Sequence, residues 1–271
     1  MLFAVERRSH SLAATIYGMS EPSEHPANRL RVATYNIHKG VQGVGPVRRL
    51  EIHNLGHAIE QLDADIVCLQ EVRKMNRKAA IHFPRWPELP QADFLAPEGY
   101  TAVYETNAIT RHGEHGNALL TRWPVLHKSH RDISDHRFEQ RGLLHVVIEV
   151  EGVPVHAIVV HLGLIKGSRV RQVAQLRDFI EKEIPPDERL VVAGDFNDWG
   201  ARMRYAMNAM GLRDSGDLRG PRILTYPSRM PLTQLDFIYA RHMSVTECAV
   251  PRGAIWARMS DHLPLVSDFS L

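Results

Sequence analysis

Leu190-Val191-Val192-Ala193-Gly194-Asp195-Phe196-Asn197-Asp198 sets an apolar run directly against turn-forming and ionisable residues. The run reads as a buried strand, and its abrupt polar end places side chains at the C-terminal tip. Sheets commonly put chemistry there, because the strand is held rigid while its tip faces a cleft. Asp195 can orient or deprotonate a water, and Asn197 can donate to an oxyanion. Two residues apart, they share one side in extended geometry. The same residues could equally close the strand as an Asx-turn, so this stretch alone leaves both readings open.

Further strands with polar tips lie on either side. Leu30–Ile37 carries Asn36 at its end and runs into a Gly-rich turn, His38 to Pro46. Val47–Leu62 reads as a helix, with Ile52, Leu55, Ile59 and Leu62 at helical spacing. Ile66–Glu71 is apolar until Gln70 and Glu71. A carboxylate on a buried tip is costly unless solvated, paired or cation-bound, so Glu71 is expected to be solvated, paired with Arg73 or bound to a hard divalent cation. Arg73 to Gly99 holds four prolines and no clear period, and reads as a loop rimming the cleft or as an excursion covering the core with Trp86. Thr101–Glu105 and Asn117–Thr121 are strands about the polar turn Arg111–Gly116. Leu143–Val150 and Val153–Leu162 form a hairpin about Glu151-Gly152. The second ends in His161, either a satisfied core histidine or a phosphate donor.

Ser168 is the expected N-cap of a helix through Val170, Val173, Leu176 and Ile180 to about Ile184, and Trp199–Met210 is a second, short helix stopped by Gly211. Arg213–Leu232 is rich in loop residues. Strands follow at Leu235–Ala240, Ser244–Ala249 and Leu265–Phe269, with Ser260-Asp261-His262 before the last. Strands outnumber helices, and the helices come singly between strand groups. That pattern implies two packed sheets with helices outside.

With 271 residues, 44% of them hydrophobic, the chain can bury one large core. A single domain is expected over 29–271, preceded by an extension, 1–28, that lacks periodicity. The formal charge of +2 excludes a global basic field and leaves a local patch open. Cys68 and Cys248 make no disulfide framework, and Cys68, inside an apolar run, reads as a buried thiol of a reducing compartment. No stretch is long and apolar enough to span a membrane. Glu6, Arg7 and Arg8 interrupt any signal-peptide core, so a cytoplasmic monomer is expected.

Asn36, Glu71, His161, Asp195, Asn197, Asp236, Asp261 and His262 all fall at or beside strand ends. Phosphate ester hydrolysis needs this inventory: oxygen ligands for a cation, donors for non-bridging oxygens, a carboxylate to align water, and a His–carboxylate pair. The motifs TYNIHKG from Thr34, CLQEV from Cys68, HGNALLTR from His115, VVHLG from Val159, AGDFND from Ala193, LDFIYA from Leu235 and SDHLPL from Ser260 follow in an order that resembles the endonuclease/exonuclease/phosphatase, or DNase I-like, family. The resemblance covers Arg31 to Leu271. It implies a four-layer α/β sandwich, two mostly antiparallel sheets flanked by helices, with the site at one edge of the paired sheets.

By the same resemblance, Glu71 is the main Mg²⁺ or Mn²⁺ ligand, with Asn36 and Asp261 on the metal side. Asp195 is the water-positioning carboxylate and Asn197 the oxyanion-stabilising amide. His262 faces phosphate, oriented by Asp236, and His161 is a second phosphate-facing histidine. His38, His115, Asn117 and Arg141 are expected to contact substrate. The abasic-site endonuclease branch has Tyr where His161 stands, Asn where Leu164 stands, and often an aromatic at Thr233, which argues against that activity. The partner of His161 stays open.

The expected activity is metal-dependent hydrolysis of a phosphodiester in a nucleic acid, a phospholipid or a small molecule. A nuclease would draw on a basic strip of Lys39, Arg48, Arg49, Arg73, Lys74, Arg77 and Lys78, with Arg169 and Arg171. A lipid enzyme would use Ile81 to Leu95 as an apolar lip. The competing classes are an inactive phosphate- or nucleic-acid-binding relative and, less distinctively, a zinc site at His112 and His115.

Overall fold

Alternation along the strands sorts the interior into three apolar layers. In the computed structural model, which describes residues 28–43, 45–217 and 223–271, the strands in chain order are β1 (Arg29–Asn36), β2 (Val41–Gln42), β3 (Arg49–Leu50), β4 (Ile66–Asn76), β5 (Thr101–Thr110), β6 (Gly113–Thr121), β7 (Val125–Asp132), β8 (Gly142–Val150), β9 (Val153–His161), β10 (Arg189–Asp195), β11 (Arg213–Asp214), β12 (Asp236–Arg241), β13 (Ser244–Ala249) and β14 (Leu265–Ser270). The helices are α1 (Ile52–Leu62), α2 (Arg77–His82), α3 (Gln91–Leu95), α4 (Lys166–Glu183), α5 (Arg204–Ala209) and α6 (Trp256–Met259). The expected 1–28 extension lies, but for Asn28, outside the described residues.

Two six-stranded sheets form, in the orders β13-β14-β1-β4-β6-β5 and β11-β12-β10-β9-β8-β7. Each has one parallel pair near its middle, β1 with β4 and β10 with β9, and antiparallel neighbours outside. Val32, Cys68 and Leu119 of the first sheet share an inner layer with Val159, Val191 and Ile238 of the second. The alternate residues face outward. Ala33, Tyr35, Val67 and Leu69 pack on Ile52, Leu55 and Ile59 of α1. Ile158, Val192 and Tyr239 pack on Leu176, Phe179 and Ile180 of α4. The result is a four-layer α/β/β/α sandwich. Each fully buried Val, Leu or Ile in these layers contributes about 1.5–3 kcal/mol. Among the described residues no helix is long and apolar enough to cross a membrane.

Several boundaries differ from expectation. The helix expected from Val47 starts at Ile52, because Arg49–Leu50 pairs with Val41–Gln42 instead. The 73–99 segment is not structureless: β4 continues to Asn76, where the Asn76 side chain caps α2, and α3 follows. Trp86 stacks on Phe83, with the Arg73 guanidinium over its ring. Ser168 is not an N-cap; α4 begins at Lys166, and the Ser168 hydroxyl donates to Asp135. The helix expected from Trp199 starts at Arg204, since Asp198 instead accepts the Met203 N–H in the preceding turn. Cys68 is a buried free thiol and Cys248 is also free.

Candidate functional site

The alternation that fills the inner layer also turns it polar at one end. On β1 the inward series Val32, Thr34 leads to Asn36, on β9 Ala157, Val159 leads to His161, and on β10 Val191, Ala193 leads to Asp195. β12 runs the other way, so its first residue, Asp236, lies opposite Asp195 in register, and His161 lies opposite Asp195 on the other side. Gly194 is required for this approach. Its φ is +153°, and a Cβ there would stand 1.9 Å from the Val160 carbonyl oxygen. Glu71 follows a register break in β4 between Leu69 and Val72 and adopts φ 58°. His38, Lys39 and Asn197 also have left-handed backbones, at 45°, 61° and 49°. Left-handed non-glycine residues are costly; Asn28, Asp63, Glu151 and His242 adopt this backbone in turns at the other end, whereas Glu71 does so within a strand beside the site.

Asp195 is the hub. Its Oδ1 accepts the Asn197 backbone N–H at 2.9 Å, and its Oδ2 accepts Asn36 Nδ2 at 3.0 Å. His161 Nε2 and His262 Nε2 stand 3.5 and 3.7 Å from the same Oδ2. His262 Nδ1 donates to Asp236 Oδ2 at 2.8 Å. The Ser260 hydroxyl donates to the Asn36 carbonyl oxygen at 2.6 Å and so ties β1 to the segment holding His262. The Tyr226 ring packs against the His262 ring at 4.9 Å.

The two histidines are buried alike yet titrate apart. Burial alone would lower the pKa of His262, but the Asp236 and Asp195 carboxylates raise it to about 10. It is an imidazolium at neutral pH. Burial, with the Arg141 guanidinium nearby, drives the pKa of His161 well down, so that ring is neutral. Burial pushes the Asp195 carboxyl upward against the pull of His262.

Glu71 lies beside this hub. Burial would raise its pKa, but the Lys39 ammonium, with Nζ 2.8 Å from Oε2, holds it well below the carboxylate range. Asp261 pairs with His38 Nδ1 at 2.8 Å, and the His38 backbone N–H donates to Asn36 Oδ1 at 3.1 Å. A largely buried carboxylate on a strand tip, charged and facing one ammonium, is a donor set that fits a hard cation. Carboxylate and imidazole atoms of Asp195, Asp236 and His262 also lie within 4.8 Å of one another. An imidazolium offers no lone pair, however, and its charge already serves both carboxylates. Of these carboxylates, Glu71 has the chemistry best suited to a hard cation.

Asn36, Glu71, His161, Asp195, Asn197, Asp236, Asp261 and His262 are thus gathered at one end of the sandwich. The four expected substrate contacts divide. His38 borders the cleft through Asp261, and His115 is half-buried, with its pKa lowered by burial. Asn117 is fully buried and spends its Nδ2 on the Gly142 and Val159 carbonyls, and Arg141 is engaged by the Leu162 carbonyl and Glu139. These two brace the site wall. Arg169 is buried on the Gly163 and Leu164 carbonyls and Arg171 pairs with Asp135, so neither belongs to a free basic strip. His112 and His115 join no three-ligand group among the described residues. Pairing of Lys39 with Glu71 was missed; its proximity to Asn36 in the same turn was the available signal.

A sequence profile of the "Endonuclease/Exonuclease/phosphatase family" matches residues 33–262. "Uncharacterized protein YbhP" of Escherichia coli (strain K12) is 34% identical over 255 residues, 92% of this chain and 100% of that one. "Sphingomyelinase C" of Leptospira interrogans is 31% identical over 111 residues, 35% of this chain and 19% of that one. A crystal structure of an endonuclease/exonuclease/phosphatase from Bacteroides vulgatus superposes with TM-score 0.72 at 20% identity, over 90% of this chain and 99% of that one.

Proposed function

Since the chain belongs to the endonuclease/exonuclease/phosphatase family, we propose that it is a divalent-metal-dependent phosphoesterase, and specifically a phosphodiesterase. The observation that carries this reading is the Asp195 hub: one buried carboxylate between a neutral and a charged histidine, next to the cation-seeking Glu71.

Glu71 would hold Mg²⁺ or Mn²⁺, with Asn36 and Asp261 alongside, and the ion would neutralise phosphoryl charge and steady the leaving oxygen. Asp195 aligns the attacking water and takes its proton. Its two oxygens are fixed by Asn197 and Asn36, so the orientation is set before substrate arrives. Burial raises its basicity toward the range useful for a general base. His262, held charged by Asp236, presents a cation to a non-bridging oxygen. His161, neutral, donates one hydrogen bond without repelling the His262 cation. The Asn197 amide keeps one N–H on the Leu162 carbonyl and has a second for the developing oxyanion.

The test is turnover of bis(p-nitrophenyl) phosphate by purified protein with added Mg²⁺ or Mn²⁺. Asp195→Asn and Glu71→Gln should each lower kcat by about 10²–10⁴-fold with the fold retained by circular dichroism. Wild-type turnover in either folded variant would remove the assignment.

A further inference from the structure

Viewed along the strands, the molecule has two unlike ends. The site occupies the end where β1, β4, β9 and β10 finish and where the chain enters β6, β8, β12 and β14. Exposed apolar side chains collect in the connections at that end: Val47, Ile81, Ile109, Phe138, Leu164 and Ile255 are 64–87% exposed. They come from five separate connections and, for Ile109, the end of β5, so no one loop accounts for them. Among the described residues, the connections at the opposite end, 63–65, 96–100, 122–124, 151–152 and 184–188, contain no exposed large apolar residue, and the strand starts beside them add Leu126 at 54% and Val153 at 39%. Single exposed apolar residues are ordinary, but a collection weighted so heavily to one end is not.

Charge leans the same way. Lys78, Arg111, Arg137, Lys166 and Arg252 are exposed on these site-end connections, and among the described residues none of them pairs with a carboxylate. At the opposite end Arg29 is bound to Asp268 and Arg122 to Asp63, while Arg213, beside the end of β12, is exposed without an ion pair among the described residues. A recess of about 770 Å³ opens beside the site, where Val47, Met230 and Pro227 meet Arg49, Arg229 and Asp261. Apolar and cationic groups thus share the end where a phosphorus would sit.

We propose that the site end is a docking face for an anionic lipid bilayer, and that the diester cleaved is a phospholipid headgroup presented at its surface; the second half rests on the phosphoesterase reading. Exposed aliphatic side chains enter the headgroup boundary, and unpaired cations meet anionic phosphates. These are the two contributions of interfacial docking. Nucleic acid fits less well. A duplex would use the cations but leave the aliphatic side chains against a polar backbone, and a single strand needs aromatic platforms. Five of the six exposed residues named above are aliphatic; of the exposed aromatics at this end, Trp199 is already packed edge-on against Tyr226, which leaves Phe138 and Tyr205.

The test is co-sedimentation of the full chain with neutral phosphatidylcholine vesicles and with vesicles containing an equal share of phosphatidylglycerol. We expect binding to the anionic vesicles and weak binding to the neutral ones. Ile81→Ser with Phe138→Ser should reduce the anionic-vesicle partition coefficient about tenfold or more, and Arg111→Gln with Arg137→Gln severalfold. Both double variants should turn over bis(p-nitrophenyl) phosphate as the wild type does. No vesicle binding, or binding indifferent to the Ile81 and Phe138 substitutions, overturns the docking face. So does displacement of the protein from vesicles by duplex DNA at lower concentration than by soluble anionic headgroup. Vesicle binding without small-diester turnover would retain the docking face and remove the hydrolase reading alone.

Discussion

If Glu71 is the principal ligand of a divalent cation, that ion must compete with an ammonium already 2.8 Å from the same carboxylate. Lys39→Met keeps the length of the side chain and removes its charge. Two consequences then act in one direction. The ion pair no longer has to be opened; its partners are 32% and 20% exposed, so the pair is worth about 0.2–1 kcal/mol. The displaced ammonium also no longer repels the ion. A single charge against a double one at about 10 Å, in an effective dielectric of about 60, costs roughly 1 kcal/mol. Together these give about 1–2 kcal/mol, a tightening of roughly five- to thirtyfold. The assay is Mn²⁺ titration without substrate, following free ion by electron paramagnetic resonance. A second readout is stability. Without Mn²⁺ the variant should melt lower than wild type, because the largely buried Glu71 has lost its ammonium, and its gain in Tm on adding Mn²⁺ should be larger. Unchanged or weaker Mn²⁺ binding in folded Lys39→Met would refute the reasoning and move the cation away from Glu71.

Gly194→Ala should cost at least about 3 kcal/mol in urea denaturation, because its Cβ would lie 1.9 Å from the Val160 carbonyl. Gly99→Ala, at φ +80° with open space around it, should cost only about 1–2 kcal/mol; equal losses would mean that strand approach is not what requires glycine at 194. His145, on the outer face of the second sheet, tests linkage away from the site. Burial, then the neighbouring His156 and His127, lowers its pKa to about 4. Its folded pKa lies below the unfolded value near 6.5, so the unfolded chain binds the proton first. Its contribution is complete above about pH 6.5 and is lost as pH falls toward 4, by up to about 3 kcal/mol. His145→Gln should flatten the fall in stability across that window relative to wild type; parallel slopes would exclude His145 as the source.

What could be read from the chain depended on whether a residue's role is fixed locally. Val191, Ala193 and Asp195 announce their arrangement because a strand covered on both faces is apolar throughout, and its first ionisable residue marks the edge of the core. Glu71 was legible as a costly carboxylate, but its orientation depends on a register break against β6, whose pairing residues lie far along the chain. β7 escaped notice because Val125–Asp132 is an edge strand of largely polar sequence, paired only with β8. α2 and α3 are too short to carry a period, and packing of Ala79, Ala92 and Leu95 holds them instead. Ser168 has the chemistry of a cap, but its hydroxyl is claimed by Asp135, 33 residues away. The family resemblance supplied the convergence of the tips, which periodicity alone could not.

The near-repeat of the two sheets explains how the convergence arises. Each presents an antiparallel, a parallel and an antiparallel pairing in turn, β14-β1-β4-β6 and β12-β10-β9-β8. The two parallel pairs face each other across the inner layer, so four strand ends meet at one end. The halves are alike in plan and unlike in chemistry. The first brings Asn36 and Glu71, with Lys39 following β1. The second brings His161, Asp195 and Asp236, and His262 arrives on the connection into β14. A cation-seeking carboxylate therefore stands opposite a base and an imidazolium without sharing a strand with either. The same geometry bears on the near-neutrality of the chain: within a formal charge of +2 over 271 residues, exposed cations such as Lys78, Arg111 and Arg137 stand unpaired at the site end among the described residues, while Arg29 and Arg122 at the other end are held by Asp268 and Asp63. Because counter-ions screen fields beyond about 8–10 Å, an approaching phosphate responds to that end and not to the sum.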